Sequence, residues 1–258
     1  MKNIFFKTKD GLKLAAILYL PKEQTDKIII LAHGITVDKD EDGAFPILAN
    51  LLTNNGYAIL RFDFRGHGES EGKSINMTIT NELIDLEAAI EIVKSNGYKN
   101  IGLVGASFGG GETVLYTARH QNQIKALCLW NPVLNYDRTF INPYLPWIIK
   151  RKGHMKNDLK EKGWTTLGSH NFVLGKTLFN EMEHTFPYKE LKEITVPTII
   201  IHGDKDTYVP YDDSKAYSGN MQNGRLITIK GAEHGFHDLG KYAEQANQAT
   251  LSFFQQYL

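Results

Sequence analysis

Cysteine is nearly absent from this sequence: Cys128 is the only one, so no intrachain disulfide can brace the fold. It lies inside the apolar run Ala126-Leu127-Cys128-Leu129-Trp130, the setting of a buried structural thiol rather than of a nucleophile. A surplus of either charge is missing too. Lys plus Arg and Asp plus Glu stand at 29 each, which removes the electrostatic case for a nucleic-acid partner or an anionic membrane surface. No apolar stretch approaches the length of a membrane span. Near the N-terminus Lys7, Lys9, Asp10 and Lys13 interrupt the hydrophobic pattern and the run Leu14 to Leu20 is short, so no secretion signal is read. A soluble, cytoplasmic protein is expected. Internal repeats and Pro-, Ser- or Gly-rich linkers are lacking, and 258 residues suit one large α/β domain, or a domain carrying an insertion.

The glycine-rich stretches lack what a phosphate site needs. A dinucleotide fingerprint would require glycine where Ser107 stands. Gly68 and Gly72 enclose three residues where a P-loop has four, and Glu69 and Glu71 would repel a phosphate. No His, Cys, Asp or Glu cluster has metal-ligand spacing, so neither a metal nor a cofactor is expected.

What is present is an alternation of strand and helix signals. Ile4 to Thr8 and Leu12 to Tyr19 flank Lys9-Asp10-Gly11 and read as an antiparallel hairpin. Lys27 to Ala32 is a continuous aliphatic run, the mark of a strand covered on both faces, and Tyr57 to Phe62, Ile101 to Val104, Ala126 to Trp130, Thr198 to Ile201 and Leu226 to Ile229 follow. Helices are predicted over Phe45 to Leu52, Thr80 to Ser95, Gly110 to Arg119 and about Leu239 to Tyr257. The result is an α/β chain with a mostly parallel sheet of about eight strands and helices on both faces. The rhythm breaks between Asn131 and Thr195, where Tyr136, Phe140, Tyr144, Trp147, Trp164, Phe172, Phe179 and Phe186 mark a segment that packs. Within it, Trp164 to Leu167 and Phe172 to Leu174 around Gly168-Ser169-His170 read as a small hairpin, Lys176 to Glu183 as a helix, and the basic run Lys150, Arg151, Lys152 and Lys156 as a solvated face. Inserted at the carboxyl edge of the sheet, where α/β proteins bind ligands, the segment is expected to be a lid.

Gly105-Ala106-Ser107-Phe108-Gly109 matches the G-x-S-x-G elbow, a sharp strand-to-helix turn with serine at its apex, and a predicted strand and helix flank it. A serine hydroxyl attacks only when a base removes its proton, and that base is usually oriented by an acid. In this architecture acid and base follow the serine in the chain, which narrows the candidates to two loops. One is His202-Gly203-Asp204-Lys205-Asp206-Thr207-Tyr208-Val209-Pro210, where Asp204 and Asp206 compete. The other is Gly231-Ala232-Glu233-His234-Gly235-Phe236, with His237 a rival to His234. His33 and His202, each beside glycine at a strand end, read as rings that satisfy loop backbone groups, and Asp63, Arg65 and His67 as a hydrogen-bonded loop.

H-G at residue 33, D-x-R-G-x-G-x-S at Asp63 to Ser70, the elbow, H-G-x-x-D-x-x-V-P at 202 to 210 and G-x-x-H at 231 to 234 occur in the order of the α/β-hydrolase family, which the chain resembles over nearly all its length. Within that family it looks most like the cinnamoyl and feruloyl esterases and related small bacterial carboxylesterases, through His33-Gly34-Ile35-Thr36 and the inserted segment. The resemblance implies an α/β-hydrolase core over 1–132 and 195–258 with a cap over 133–194. It further implies Ser107 as nucleophile, Asp206 as acid, His234 as general base, and the backbone N–H groups of Ile35 and Phe108 as oxyanion donors. The expected activity is cleavage of small carboxylic esters through an acyl-enzyme, including aryl-acyl esters of the cinnamoyl or feruloyl type. A peptidase, amidase or thioesterase of the same fold is the rival within catalysis. The serine, acid and histidine set argues against a binding protein that has lost its chemistry.

Overall fold

The computed structural model describes residues 1–168, 171–236 and 240–258. Its strands are β1 (Lys2–Lys7), β2 (Lys13–Tyr19), β3 (Lys27–Ala32), β4 (Ala58–Phe62), β5 (Asn100–Ala106), β6 (Ala126–Trp130), β7 (Trp164–Leu167), β8 (Phe172–Gly175), β9 (Thr198–Gly203) and β10 (Gly224–Ile229). Its helices are α1 (Ala44–Asn54), α2 (Ile79–Ser95), α3 (Ser107–Arg119), α4 (Pro146–Glu161), α5 (Lys176–Met182), α6 (Pro187–Leu191), α7 (Tyr211–Ser218) and α8 (Lys241–Tyr257). Eight strands form one sheet in the order β1-β2-β4-β3-β5-β6-β9-β10, while β7 and β8 pair separately. The pairings of β1 with β2 and of β2 with β4 are antiparallel, and every other pairing in the large sheet is parallel.

The aliphatic run of β3 shows why this sheet is covered on both faces. Ile28, Ile30 and Ala32 enter the core beneath α2 and α3, and Ile29 and Leu31 enter the core beneath α1 and α8. All five are fully shielded from solvent, and burial of one such aliphatic side chain is worth about 1.5–3 kcal/mol. Local signals agree with the packing. The Thr78 hydroxyl accepts the Asn81 N–H at the head of α2, and α1 ends at a left-handed Gly56.

The strand order also locates the ligand edge. The chain leaves β3 toward β4 on one side and leaves β5 toward β6 on the other, so adjacent strands β3 and β5 send their connections in opposite directions. Such a switch point opens a crevice at the carboxyl ends of the strands. His33-Gly34 follows β3 there, and Ser107 follows β5.

Between β6 and β9 the chain builds a third apolar cluster. Phe140, Ile148, Met155, Leu167, Leu174, Leu178, Phe179 and Met182 pack with Ile35 and Phe108 from the site loops. The antiparallel β7 and β8 are the expected hairpin, although Ser169 and His170 at its tip lie outside the described residues. The expected basic face belongs to α4, a helix that the sequence does not predict. Only Ile148 and Met155 of α4 are buried, too few to give an amphipathic period, and Pro146 at its first turn is the one local signal. The short helices α6 and α7 are likewise not predicted from the sequence. Leu239, where the last helix was expected to begin, lies outside the described residues.

Two carboxyls are enclosed behind the elbow helix. Glu82 of α2 and Glu112 of α3 are buried, and burial together with mutual repulsion pushes Glu82 well above the usual carboxylate range. Glu112 is raised by burial despite the hydrogen bond its Oε1 accepts from the Tyr136 hydroxyl, and its Oε2 has no partner. Both groups hold protons more tightly folded than unfolded, so folding takes up protons and stability falls as pH rises above the ordinary glutamate range. Glu112→Gln keeps the Tyr136 hydrogen bond and removes one of these protons. It is expected to raise Tm at pH 8 by a few degrees, at about 2–4 °C per kcal/mol recovered, and to have little effect at pH 4, as scanning calorimetry at the two pH values would measure.

Candidate active site

Ser107 stands at the head of α3 with φ of 52°, a left-handed conformation that costs a residue with a Cβ about 1–3 kcal/mol. The turn is held because backbones approach it from both sides. A Cβ on Gly105 would lie 2.6 Å from the Gly109 carbonyl oxygen, and one on Gly109 would meet the His33 carbonyl oxygen and lie 2.7 Å from that of Ala32. The Ser107 carbonyl accepts the Val133 N–H at 2.8 Å, tying the elbow to the start of the inserted segment. Other non-glycine residues with left-handed backbone are Glu41, Asp42, Asn131 and Phe236 on neighbouring loops, besides Asn171 in the insertion.

Three loops bring Ser107, His234 and Asp206 together. His234 Nε2 lies 3.0 Å from Ser107 Oγ, and His234 Nδ1 lies 2.6 Å from Asp206 Oδ2. An ionised carboxylate only accepts, so His234 carries its proton on Nδ1 and turns the lone pair of Nε2 toward the serine hydroxyl. Asp206 is fixed in turn by the N–H groups of Tyr208 and Val209, both 2.8 Å from its Oδ1. Burial works to raise the Asp206 carboxyl, but the charge and hydrogen bonds of His234 and His202 outweigh it and hold the group well below the usual carboxylate range. Burial of the His234 ring lowers its proton affinity, and Asp206, with a smaller contribution from Glu41, more than reverses that, leaving its pKa above the ordinary value.

Asp204 points elsewhere: its Oδ1 accepts the Gly231 N–H at 2.6 Å and ties the two site loops together. The rival base His237 lies outside the described residues. Buried His33 serves the backbone as expected, accepting the Phe64 N–H at 3.0 Å on Nε2 and donating Nδ1–H to the Gly34 carbonyl at 2.8 Å. His202 does not. Its Nε2 reaches the same Asp206 Oδ2 at 3.0 Å and its Nδ1 accepts from the Ser214 hydroxyl at 2.7 Å. Burial lowers the pKa of His202, so it is a neutral second donor to the acid.

Ile35 and Phe108 flank Ser107 on the loop after β3 and on α3. The Ile35 carbonyl is held by His67 Nε2 at 2.8 Å, and the Phe108 ring is clamped between Tyr136 and Phe140, with centroids 5.2 and 5.9 Å away. The loop carrying His67 is locked by Asp63, which accepts from the N–H groups of Lys39 and Glu69 and from Lys39 Nζ, while Arg65 pairs with Asp85 and Asp10. A cavity of about 750 Å³ opens over Ser107 and His234. Phe140, Trp147 and Leu167 of the inserted segment form much of its apolar wall, with Val209 and Tyr208 beside the acid and Glu41 beside Gly34. Glu41 escapes a sequence reading because it belongs to the acidic stretch Asp38 to Asp42, which carries no period and no motif. The role of His202 on Asp206 had a faint signal, the spacing of four residues between the end of β9 and the loop that follows it.

Compared with known proteins, residues 23–184 match the family described as serine aminopeptidase, S33. The chain belongs to this family of α/β-hydrolases. This S33-family chain is 26% identical to the bifunctional esterase/perhydrolase DCH of Acinetobacter calcoaceticus, over 96% of its own length and 98% of the relative's. It is also 26% identical to a non-heme chloroperoxidase of Burkholderia pyrrocinia, with the same coverage of 96% and 98%. Among solved structures, Est1E of Butyrivibrio proteoclasticus with bound ferulic acid superposes with a TM-score of 0.84 at 27% identity, covering 98% of each chain. The α/β-hydrolase fold of this S33-family chain is therefore established, and the relatives named here include esterases.

The close approaches at the elbow give a stability test. Gly109→Ala forces a methyl against two backbone carbonyls and is expected to cost about 1–3 kcal/mol or more. Gly153→Ala, in open space within α4, is expected to stabilise by up to about 1 kcal/mol. Urea denaturation midpoints at matched slope would measure both.

Proposed function

We propose that this S33-family hydrolase cleaves carboxylic esters with Ser107 as nucleophile, His234 as general base and Asp206 as the orienting acid. The observation that carries the reading is the unbroken hydrogen-bond chain from Asp206 through His234 to Ser107 at the floor of a cavity. Ser107 Oγ attacks the ester carbonyl carbon while His234 Nε2 takes its proton, and the negative charge gathers on the carbonyl oxygen. The backbone N–H groups of Ile35 and Phe108 receive that oxyanion. As the intermediate collapses, the C–O bond to the alcohol breaks and the imidazolium returns the proton to the leaving oxygen. Water, deprotonated by His234, then attacks the acyl-enzyme, and the acid is released with Ser107 restored.

Residues 133–194 act in this reading as a cap that selects the acyl group. Phe140 and Trp147 offer planar apolar surface beside the serine, suited to an aryl-acyl chain such as a cinnamoyl or feruloyl group. The likeness to Est1E, whose structure holds ferulic acid, supports the same substrate class.

Turnover of p-nitrophenyl esters and methyl ferulate tests the roles. Ser107→Ala and His234→Ala are each expected to lower kcat by several orders of magnitude, with losses that do not multiply in the double variant, because the two groups act as a unit. Asp206→Asn should cost on the order of 10⁴-fold, and Asp204→Asn far less; the reverse ranking moves the acid to Asp204. The raised pKa of His234 has a sign consequence for the pH profile. The base must be unprotonated, so kcat/KM is expected to rise with pH through a midpoint above the ordinary histidine value of 6.5. A midpoint below that value, or a flat profile, removes His234 as base.

For selectivity, Phe140→Ala and Trp147→Ala are expected to lower kcat/KM for methyl ferulate by about 10-fold or more while p-nitrophenyl acetate changes little, since each removes apolar wall worth about 1–3 kcal/mol. Equal losses on both esters would take substrate choice away from the cap. Amide and thioester analogues of the preferred acyl group, run in the same panel, decide the bond cleaved.

A further inference from the structure

Among the carboxyls lining the cavity that the proposed chemistry does not use, Glu41 is the buried one. Glu41 sits on the loop after β3, where Asp38, Asp40 and Asp42 are its acidic neighbours, yet its own side chain turns inward and is only 2% exposed. Its Oε2 accepts the Gly34 N–H at 2.7 Å. Gly34 is wedged between this carboxyl and the serine: a Cβ there would lie 3.1 Å from Ser107 Cβ and 3.4 and 3.6 Å from the two Glu41 oxygens. The conformation that delivers the side chain is strained, with φ of 45° at Glu41 and 49° at Asp42. Two successive left-handed residues with side chains cost about 1–3 kcal/mol each and persist only where the surroundings hold them. Here Lys39 on one side is pinned to Asp63, and the Phe45 N–H bonds the Asp40 carbonyl on the other.

A neutral acceptor could satisfy the Gly34 N–H without the cost of enclosing an acid. A carboxyl adds a charge that the imidazole feels. We propose that Glu41 is a positioning residue of this site, holding the Gly34-Ile35 turn through the Gly34 N–H and stabilising the protonated form of His234 through its carboxylate. The inference rests on the reading of Ser107 and His234 given above.

Burial raises the Glu41 carboxyl to about 7, against the Gly34 N–H and the charge of His234, which favour its ionised form. His234 reciprocates, its proton affinity being increased by Glu41 after the larger contribution of Asp206. The groups facing Glu41 are His234 from the loop after β10 and Asp38 and Asp42 on its own loop, while Glu233, Tyr208 and Arg151 stand around the same cavity. Lys39 is occupied by Asp63 and Glu69, and Asp40 by Arg61. As pH rises through neutrality Glu41 ionises, and its charge then favours the protonated imidazole.

The test is an NMR titration of the His234 ring in wild type and Glu41→Gln, with His234→Ala to assign its signal. Glutamine keeps the Gly34 hydrogen bond and removes the charge, so the His234 midpoint should move to lower pH. In parallel, the ratio of kcat/KM in Glu41→Gln to that in wild type should rise about 3-fold from pH 8.5 to pH 5.5, the size of a charge effect across a few ångströms at near-aqueous screening. Glu41→Ala, which strands the Gly34 N–H, should lower kcat by about 10-fold at every pH, with most of that loss restored by glutamine at pH 8.5. In unsubstituted protein the ¹³C carboxyl resonance of Glu41 should titrate near 7, a readout that needs no variant to fold. An unchanged His234 midpoint in Glu41→Gln, or a Glu41 carboxyl titrating in the ordinary glutamate range, overturns the inference. If Ser107→Ala retained full turnover, the proposed function would fail instead, and the His234 titration would still decide the inference.

Discussion

The close approach of backbone at the turn between β5 and α3 is the constraint on which the site depends. For the Ser107 hydroxyl to stand clear at the carboxyl edge, α3 must begin at once, and its first turn must slide past the end of β3. Only glycine at 105 and 109 leaves room for this. The left-handed serine that results is strained, and the eight-stranded sheet bears the strain because β3 and β5 are among its most enclosed strands. Moving either strand by a fraction of an ångström would shift the proposed nucleophile and the Gly34-Ile35 turn relative to each other, since Gly34 is in contact with Ser107.

Around that turn the polar groups form two linked supports. On one side Asp206 takes four donors, two backbone N–H groups and two imidazoles, so its geometry is over-determined before any substrate arrives. On the other, His33, His67, Asp63 and Glu41 hold the loops after β3 and β4 by hydrogen bonds to backbone groups. These residues are buried, and buried polar groups in low dielectric stabilise an arrangement only when their bonds are completed. The apolar insertion then closes over the edge, with Phe140 touching Phe108, so the wall of the cavity and the elbow share one packed cluster. Substrate selection by this wall would therefore be mechanically tied to the serine it covers.

By itself the sequence determined the fold class, every strand of the large sheet to within a few residues, and the segments that carry the proposed nucleophile, acid and base. These are local or short-range facts. Continuous aliphatic runs can satisfy only a doubly covered strand, and the glycines at 105 and 109 register a steric limit that no other residue meets. Tertiary structure alone decided the rest. It turned Asp206 toward His234 and Asp204 toward Gly231, an arrangement the family pattern implied but the chemistry of two carboxylates two residues apart leaves open. It gave His202 a side-chain partner, and it formed α4 from a basic stretch whose two buried residues meet apolar surface far away in the chain. Most of all it enclosed Glu41. An acidic loop predicts exposure from its composition, and only the positions of Gly34, Asp63 and α1 in space turn one of its carboxyls inward onto the Gly34 N–H.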